Sequence, residues 1–163
     1  MLRRYIMFFR RLVPIICLVV LAASPVAAEI KPVTPAENDK CPVCGMFVAK
    51  YPEMLAEIIF RDGTYAVFDG CKDMFRYCLN MKKYNPSKNI NDIDSIYVHE
   101  YYNLTFIDGR KAYYVVGSDV YGPMGRELIP FSKESDASAF RKDHKGKILR
   151  FGDVTEAVVK ALE

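Results

Sequence analysis

Strand-like and helix-like patterns follow one another in the same order in two stretches of the chain. In the first stretch, residues 54–60 and 64–68 read as strands, and the dipeptide Asp62-Gly63 between them is typical of a tight hairpin turn. Residues 71–81 then carry apolar side chains at helical spacing. The pattern predicts a hairpin that is followed by a helix.

The second stretch follows a polar break at residues 82–92. Residues 95–107 are rich in strand formers, Asp108-Gly109 predicts a turn, and residues 111–116 predict a returning strand. A helix at 135–144, a last strand at 147–151 and a C-terminal helix within 153–163 complete the chain, and Asp153 with Glu156 resembles a capping box. We therefore predict an α+β fold of two repeats, at about 41–85 and 95–151, whose antiparallel sheets are covered by helices.

The N-terminus has the three-part pattern of an export signal. Arginines come first, an apolar run at 12–23 follows, and small residues lead up to Ala28. This order predicts a signal peptide at residues 1–28 with cleavage after Ala28, and hence a periplasmic or otherwise exported protein. The alternative is an uncleaved N-terminus that attaches the protein to the membrane, although the apolar run is short for a spanning helix.

Length and charge limit the class of protein. The 163 residues, 51% of them hydrophobic, suit one domain at residues 41–163 after a flexible lead-in at 29–40. Without residues 1–28, 19 basic and 20 acidic residues remain, a net charge of −1. Nonspecific nucleic-acid binding requires clustered basic residues, so we expect no nucleic-acid partner.

Four cysteines remain after the predicted cleavage site: Cys41, Cys44, Cys71 and Cys78. Exported proteins commonly pair such cysteines in disulfides. Cys71 and Cys78 lie seven residues apart on the predicted helix, about 10.5 Å along its axis, which is too far for a disulfide or for one shared metal ion. We interpret Cys78 as a core residue and Cys71 as a functional one, since a helix N-terminus favours a thiolate.

The segment Cys41–Met46, with the sequence CPVCGM, carries candidate chemistry. The Cys44 thiol and the Met46 thioether are soft ligands, and Gly45 lets the backbone turn tightly between them. Such a pair favours Cu(I), whereas zinc rarely binds methionine. Met124 lies in a loop rich in glycine and proline and is a third candidate ligand.

Other readings of the motif remain open. A thiol–disulfide oxidoreductase would use Cys41 and Cys44, but residues 47–49 read as a short strand rather than the expected helix. A structural zinc or disulfide protein is a further alternative, and a Cys41–Cys44 disulfide stays open. We interpret neither His99 nor His144 as a ligand. No hydrolytic triad, paired-carboxylate motif or phosphate loop is present, so we predict that the protein is not an enzyme.

The motifs CPVCGM, YAVFDG after the Asp-Gly turn, and GPMG followed by PFSKESDASAF resemble the NosL family over about residues 41–151. Members of that family are exported Cu(I) chaperones that help to mature nitrous oxide reductase. The resemblance implies two ββαβ-like repeats, a nitrous oxide reductase and its maturation factors as partners, and copper binding by Cys44, Met46 and Met124.

The chain departs from the family pattern at two points. Many members are lipoproteins, and no lipid-attachment sequence is visible here; many have one cysteine in the first motif, and this chain also has Cys41. The first half alone also resembles YHS- or TRASH-type heavy-metal-binding domains, which implies Cys71 as a ligand. The predicted metal ligands are therefore Cys44, Met46, Met124, Cys41 and Cys71.

Overall fold

The structure is a computed structural model that describes residues 31–163. The predicted signal peptide and its cleavage site lie outside the described residues. Within residues 31–163, no helix has the length and apolar character that a membrane crossing requires.

The first sheet has four antiparallel strands in the order β2-β1-β3-β4. The strands are β1 Ala56–Phe60, β2 Tyr65–Phe68, β3 Ile93–His99 and β4 Phe106–Asp108. The predicted turn joins β1 to β2, and the Gly63 amide donates to the Phe60 carbonyl over 2.9 Å. Helix α1, Cys71–Leu79, begins at the predicted residue, and α2, Met81–Tyr84, follows after Asn80.

The second sheet has three antiparallel strands in the order β6-β5-β7. The strands are β5 Tyr113–Gly122, β6 Gly125–Phe131 and β7 Lys147–Arg150, and helix α3, Glu134–His144, connects the last two. The β5–β6 ladder is interrupted between Val116 and Tyr121, where Gly117 has a φ of +78° that favours glycine. Because a bulge bends and twists its strand, we expect the hairpin tip beyond it to deviate from the direction of the rest of the hairpin.

The two halves share one topology. Each runs strand, strand, helix, strand, and in each the first strand lies at the centre of its three-stranded ladder: β1-β2-α1-β3 and β5-β6-α3-β7. The prediction of an α+β fold with two ββαβ-like repeats is confirmed. In each repeat the central strand pairs on one edge with the other strand of its hairpin and on the other edge with the strand that follows the helix.

The predicted second hairpin, from residues 95–107 to 111–116, does not form. Val98 of β3 pairs with Ala56 in the first sheet, and β4 returns to β3 rather than to β5. The predicted strand at 95–107 is interrupted at Glu100. The buried Glu100 carboxylate accepts hydrogen bonds from the amides of Tyr102 and Asn103 and closes a turn there. Local pattern finds strands but does not fix which distant strand they pair with.

One smaller prediction is also corrected. Helix α4, Glu156–Lys160, is capped by Thr155, whose hydroxyl accepts from the Val158 amide. Asp153 instead accepts from the Arg150 amide within a preceding 3-10 turn. In the described part of the predicted lead-in, the Val33 amide donates to Glu57 on β1 over 2.9 Å.

The two sheets share a main core and the second sheet has an additional one. In the main core, Phe75 of α1 contacts Tyr114 of β5, with ring centroids 5.0 Å apart. The small core lies between the second sheet and α3 and comprises Val115, Ile129, Phe131, Ala137 and Phe140. The second sheet is therefore buried on both faces, and β6 is buried continuously from Glu127 to Phe131.

Candidate metal centre

The CPVCGM segment forms a tight turn before the first sheet. The Cys41 amide donates to the Met46 carbonyl over 2.9 Å, and the Gly45 amide donates to the Cys41 carbonyl over 2.8 Å. Gly45 has a φ of +79°, in the left-handed region that side chains disfavour. This closed turn places the Cys41 and Cys44 thiols close together.

Two aspartates face these thiols from the start of α1. Asp69 directly follows β2, and Asp73 lies in the first turn of the helix. Cys44 Sγ donates to Asp69 Oδ1 over 3.2 Å, and Cys41 Sγ donates to Asp73 Oδ2 over 3.4 Å. The four ligand atoms all lie within 4.8 Å of one another, and we call this group the thiol–carboxylate cluster.

The cluster concentrates negative charge in a buried place. Asp69 is 1% exposed and Asp73 is 2% exposed. Among the described residues, Asp69 Oδ2 and Asp73 Oδ1 accept no hydrogen bond, and the Arg76 guanidinium approaches Asp73 Oδ1 only to 3.8 Å. Buried unpaired charge of this kind destabilises a protein unless a cation or a donor compensates it.

The environment keeps both thiols protonated. Burial, followed by hydrogen bonds to the carboxylates, raises the pKa of Cys44 to about 12 and raises that of Cys41 well above its usual range. The catalytic cysteines of thiol–disulfide oxidoreductases commonly have a lowered pKa, and residues Val48–Lys50 after the motif form a 3-10 turn rather than an α-helix. Both observations argue against an oxidoreductase, and all four cysteines of the described residues are free thiols.

Cys71 and Cys78 lie outside the cluster. Cys71 begins α1 as predicted, but burial and the nearby Glu127 carboxylate raise its pKa, so these effects outweigh the helix dipole that was expected to favour a thiolate. Cys78 packs against the main core, in agreement with its interpretation as a core residue. The structure therefore brings Cys41 and Cys44 together but does not bring Cys71 to them.

The predicted methionine ligands lie on two turns near α1. Met46 is half-buried directly after Gly45. Met124 is 43% exposed at the tip of the β5–β6 hairpin, where its carbonyl accepts a 2.6 Å hydrogen bond from Lys72 Nζ. Lys72 follows Asp69 by three residues, so the first turn of α1 contacts both the Cys44 turn and the Met124 tip.

Glu127 of β6 fixes the same tip to the helix. Its buried carboxylate accepts from the Lys72 and Leu128 amides and so supplies the N-terminal cap that Gly70 lacks. Burial raises the pKa of Glu127 to about 7. Gly70 makes room for this group, since a Cβ at that position would lie 2.2 Å from Glu127 Oε2.

Sequence reasoning missed Asp69, Lys72, Asp73 and Glu127. Asp69-Gly70 resembles an ordinary strand end, and an acidic residue in a first helical turn usually faces solvent. The sequence does contain a signal. Asp69 directly follows a predicted strand, and Asp73 follows four residues later, on the other side of Cys71. Both histidines lie elsewhere: His144 Nδ1 is 2.8 Å from Asp119 Oδ1, and His99 packs on Phe106.

Comparison with known proteins identifies similar chains. The family model described as NosL matches residues 32–159. The chain is 29% identical over 143 residues to the copper-binding lipoprotein NosL of Stutzerimonas stutzeri, covering 83% of this chain and 72% of that protein. It is 32% identical over 123 residues to the copper-binding lipoprotein NosL of Achromobacter cycloclastes, covering 71% and 63%.

A solved structure is also similar. The crystal structure of the copper chaperone NosL from Shewanella denitrificans matches with a TM-score of 0.67 and 26% sequence identity. The match covers 78% of this chain and 97% of that one.

Proposed function

Because the chain belongs to the NosL family, we propose that it is an exported Cu(I)-binding chaperone that delivers copper for the maturation of a copper enzyme, nitrous oxide reductase. One observation carries this proposal: Cys44 contacts Asp69 just before α1, and the Met124 carbonyl contacts Lys72 in the first turn of α1, so both segments adjoin the start of the same helix. Relatives with copper-binding names share the fold and most of the chain length.

Soft ligands fit Cu(I) as a cargo. Cys44 supplies a thiolate when the metal displaces its proton, and Met46 and Met124 supply thioethers. Cys41 is a neighbouring thiol that can join them. Cys71 is enclosed beside Glu127, and we expect it to contribute least.

An open side suits delivery rather than storage. Met124 is 43% exposed and Cys44 is half-buried, so ligands of a recipient protein can reach the ion before these donors release it. A closed cage of four thiolates would hold Cu(I) without such access. We infer that transfer proceeds by ligand exchange at the Met124 side.

Export and partners are part of the same proposal. The signal pattern at residues 1–28 and the lipoprotein names of the relatives support a periplasmic location, with membrane attachment through an uncleaved N-terminus as the alternative. The recipient is nitrous oxide reductase, together with its maturation factors. A general heavy-metal-binding role of the YHS or TRASH type is less well supported, because it relies on Cys71.

An anaerobic Cu(I) titration against a competing chelator tests the donor set. Cys44→Ser should lower the Cu(I) affinity far more than Cys78→Ser, because Cys44 lies in the CPVCGM turn with Met46, whereas Cys78 packs against the main core. Met124→Leu should weaken binding modestly and leave the fold intact, since the two side chains have similar volumes. Met54→Leu is the matched control, and equal losses at Cys44 and Cys78 would contradict the assignment.

Cells provide the test of delivery. In a deletion strain, the reductase should be produced at normal levels but contain little copper, and the Met124→Leu chain should restore its copper only partly. The metal content of the purified reductase is the measurement. Full copper occupancy in the deletion strain would rule out the chaperone role.

A further inference from the structure

The thiol–carboxylate cluster contains two groups that the copper donor set does not use. Asp69 and Asp73 are almost completely buried, and each has an oxygen that accepts no hydrogen bond within the described residues. Their other oxygens accept only from weak thiol donors. The Arg76 guanidinium, 3.8 Å from Asp73 Oδ1, offsets only part of this charge, and the remainder favours a bound cation.

We propose that Cys41, Cys44, Asp69 and Asp73 form a binding site for a divalent cation of the zinc class. This inference goes beyond copper delivery and does not depend on it. Zinc binds cysteine sulfur and aspartate oxygen in tetrahedral sites, and its double charge offsets half of the negative charge that two thiolates and two carboxylates bring. Cu(I) is soft and singly charged and gains little from carboxylate oxygens, while magnesium and calcium avoid thiolates.

The distances are close to those of a tetrahedral site. Zinc–ligand bonds of 2.0–2.3 Å place ligand atoms about 3.3–3.8 Å apart. The two thiol–carboxylate contacts are 3.2 and 3.4 Å, and the four ligand atoms all lie within 4.8 Å of one another. A small closure of the CPVCGM turn would therefore complete the site. As the ion enters, each thiol releases its proton to solvent and each sulfur binds the metal.

The two proposed sites share Cys44. Met46 and Met124 belong only to the copper donor set, whereas Asp69 and Asp73 belong only to the divalent site. Binding of zinc and of Cu(I) is therefore mutually exclusive.

Cobalt serves as a visible probe for the wild-type site. Anaerobic titration of the purified, reduced protein with Co²⁺ should give a sulfur-to-cobalt charge-transfer band and the strong d–d absorption of tetrahedral cobalt. One Co²⁺ should bind per chain, and one Zn²⁺ should displace it. Weak octahedral absorption without a charge-transfer band would overturn the proposal.

A pair of matched variants tests the carboxylates. Asp73 and Asp136 are the third residues of α1 and α3, so Asp136→Asn controls for the loss of a helix N-terminal charge. Asp73→Asn should lower Zn²⁺ affinity by more than the roughly 10–100-fold that loss of an outer partner of a ligand costs. Asp136→Asn should leave it unchanged, and equal zinc affinities in the two variants would overturn the proposal.

The two metals separate this proposal from the copper one. Asp73→Asn should lower Zn²⁺ affinity far more than Cu(I) affinity, whereas Met124→Leu should lower Cu(I) affinity and leave Zn²⁺ affinity unchanged. A wild-type protein that binds Zn²⁺ through both thiolates but does not retain Cu(I) would support the divalent site and refute the chaperone. The reverse result would refute only the divalent site.

Discussion

The third residue of the crossover helix is an aspartate in both repeats, Asp73 in α1 and Asp136 in α3. Asp73 is buried and accepts from the Cys41 thiol, whereas Asp136 is partly exposed and accepts from the neighbouring Ser135 hydroxyl. An aspartate at the same position of the same topology is therefore buried beside a thiol in the first repeat and partly exposed in the second. The difference lies in what covers the helix start, since only α1 has the CPVCGM turn beside it.

The hairpins of the two repeats differ in the same way. The first ends in the ordinary Asp62-Gly63 turn, while the second extends past a bulge and reaches α1 of the first repeat. The first repeat thus holds the cysteines, and the second contributes Met124 and Glu127. The proposed copper donor set therefore draws on both repeats, and neither repeat contains all of it.

The largest expected effect breaks the second repeat at its core. Phe140 is fully buried between α3 and β6, so Phe140→Ala should lower the free energy of unfolding by about 3–5 kcal/mol. Ile90→Ala, at a side chain that is 51% exposed, is the control. Chemical denaturation should be followed by circular dichroism and by Cys44 reactivity. Non-coincident transitions would show that the repeats unfold separately.

A smaller effect is expected at the contact between the repeats. Gly70→Ala would place a methyl group against Glu127 and should destabilise the protein by about 1–3 kcal/mol. Gly152→Ala is the matched control, because its Cβ would meet no atom within 4 Å. Thermal unfolding measures both. A Glu127→Ala background should reduce the loss, and full additivity of the two changes would contradict direct contact.

The buried carboxyl group of Glu57, on β1 of the first sheet, should make the free energy of unfolding depend on pH. Burial raises the pKa of Glu57 to about 7, above its value in the unfolded chain. The folded protein therefore holds this proton more tightly, and the associated stability is complete below about pH 4.5 and is lost as pH rises through 7. Allowing for partial screening, we expect about 1–2 kcal/mol. Glu57→Gln should flatten this part of the profile of melting temperature against pH, and an unchanged profile would contradict the assignment.

The smallest effect is expected at the N-terminus of α4. Thr155, directly before α4, caps that helix, whereas Glu127 of the other repeat caps α1. Thr155→Ala removes the α4 cap and should cost about 1 kcal/mol. Thr155→Ser keeps the hydroxyl and should retain most of the stability. Denaturant midpoints measure both, and an equal loss in the serine variant would assign the effect to the methyl group instead.

Local chemistry explains what could be predicted from the sequence. Asp62-Gly63 fixes a hairpin through turn geometry alone, and the spacing of Cys71, Met74 and Phe75 marks a helix face. The closeness of Cys41 and Cys44 follows from a motif of four residues. Each of these features is determined within a few residues of the chain, so a pattern of neighbours is sufficient to find it.

Long-range contacts explain what could not be predicted. The burial of Asp73 depends on Cys41, which lies 32 residues away, and the cap of α1 comes from Glu127, 55 residues from Lys72. Likewise, β3 pairs with β1 although β2, α1 and α2 separate the two strands in the sequence. In each case the sequence near the residue is compatible with solvent exposure or with another partner, and tertiary packing decides.

The bulge between Val116 and Tyr121 has a mechanical consequence. Pairing of β5 with β6 resumes beyond it at Tyr121 and Arg126, so the tip is a short separate ladder, and the Lys72–Met124 hydrogen bond holds its far end to α1. Breaking that hydrogen bond alone has a net cost of about 1 kcal/mol, which is far below the cost of unfolding the sheet. We therefore expect this end of the hairpin to detach from α1 far more readily than the sheet unfolds. Under the proposed copper donor set, the strength of this one hydrogen bond would then influence how long an ion stays bound.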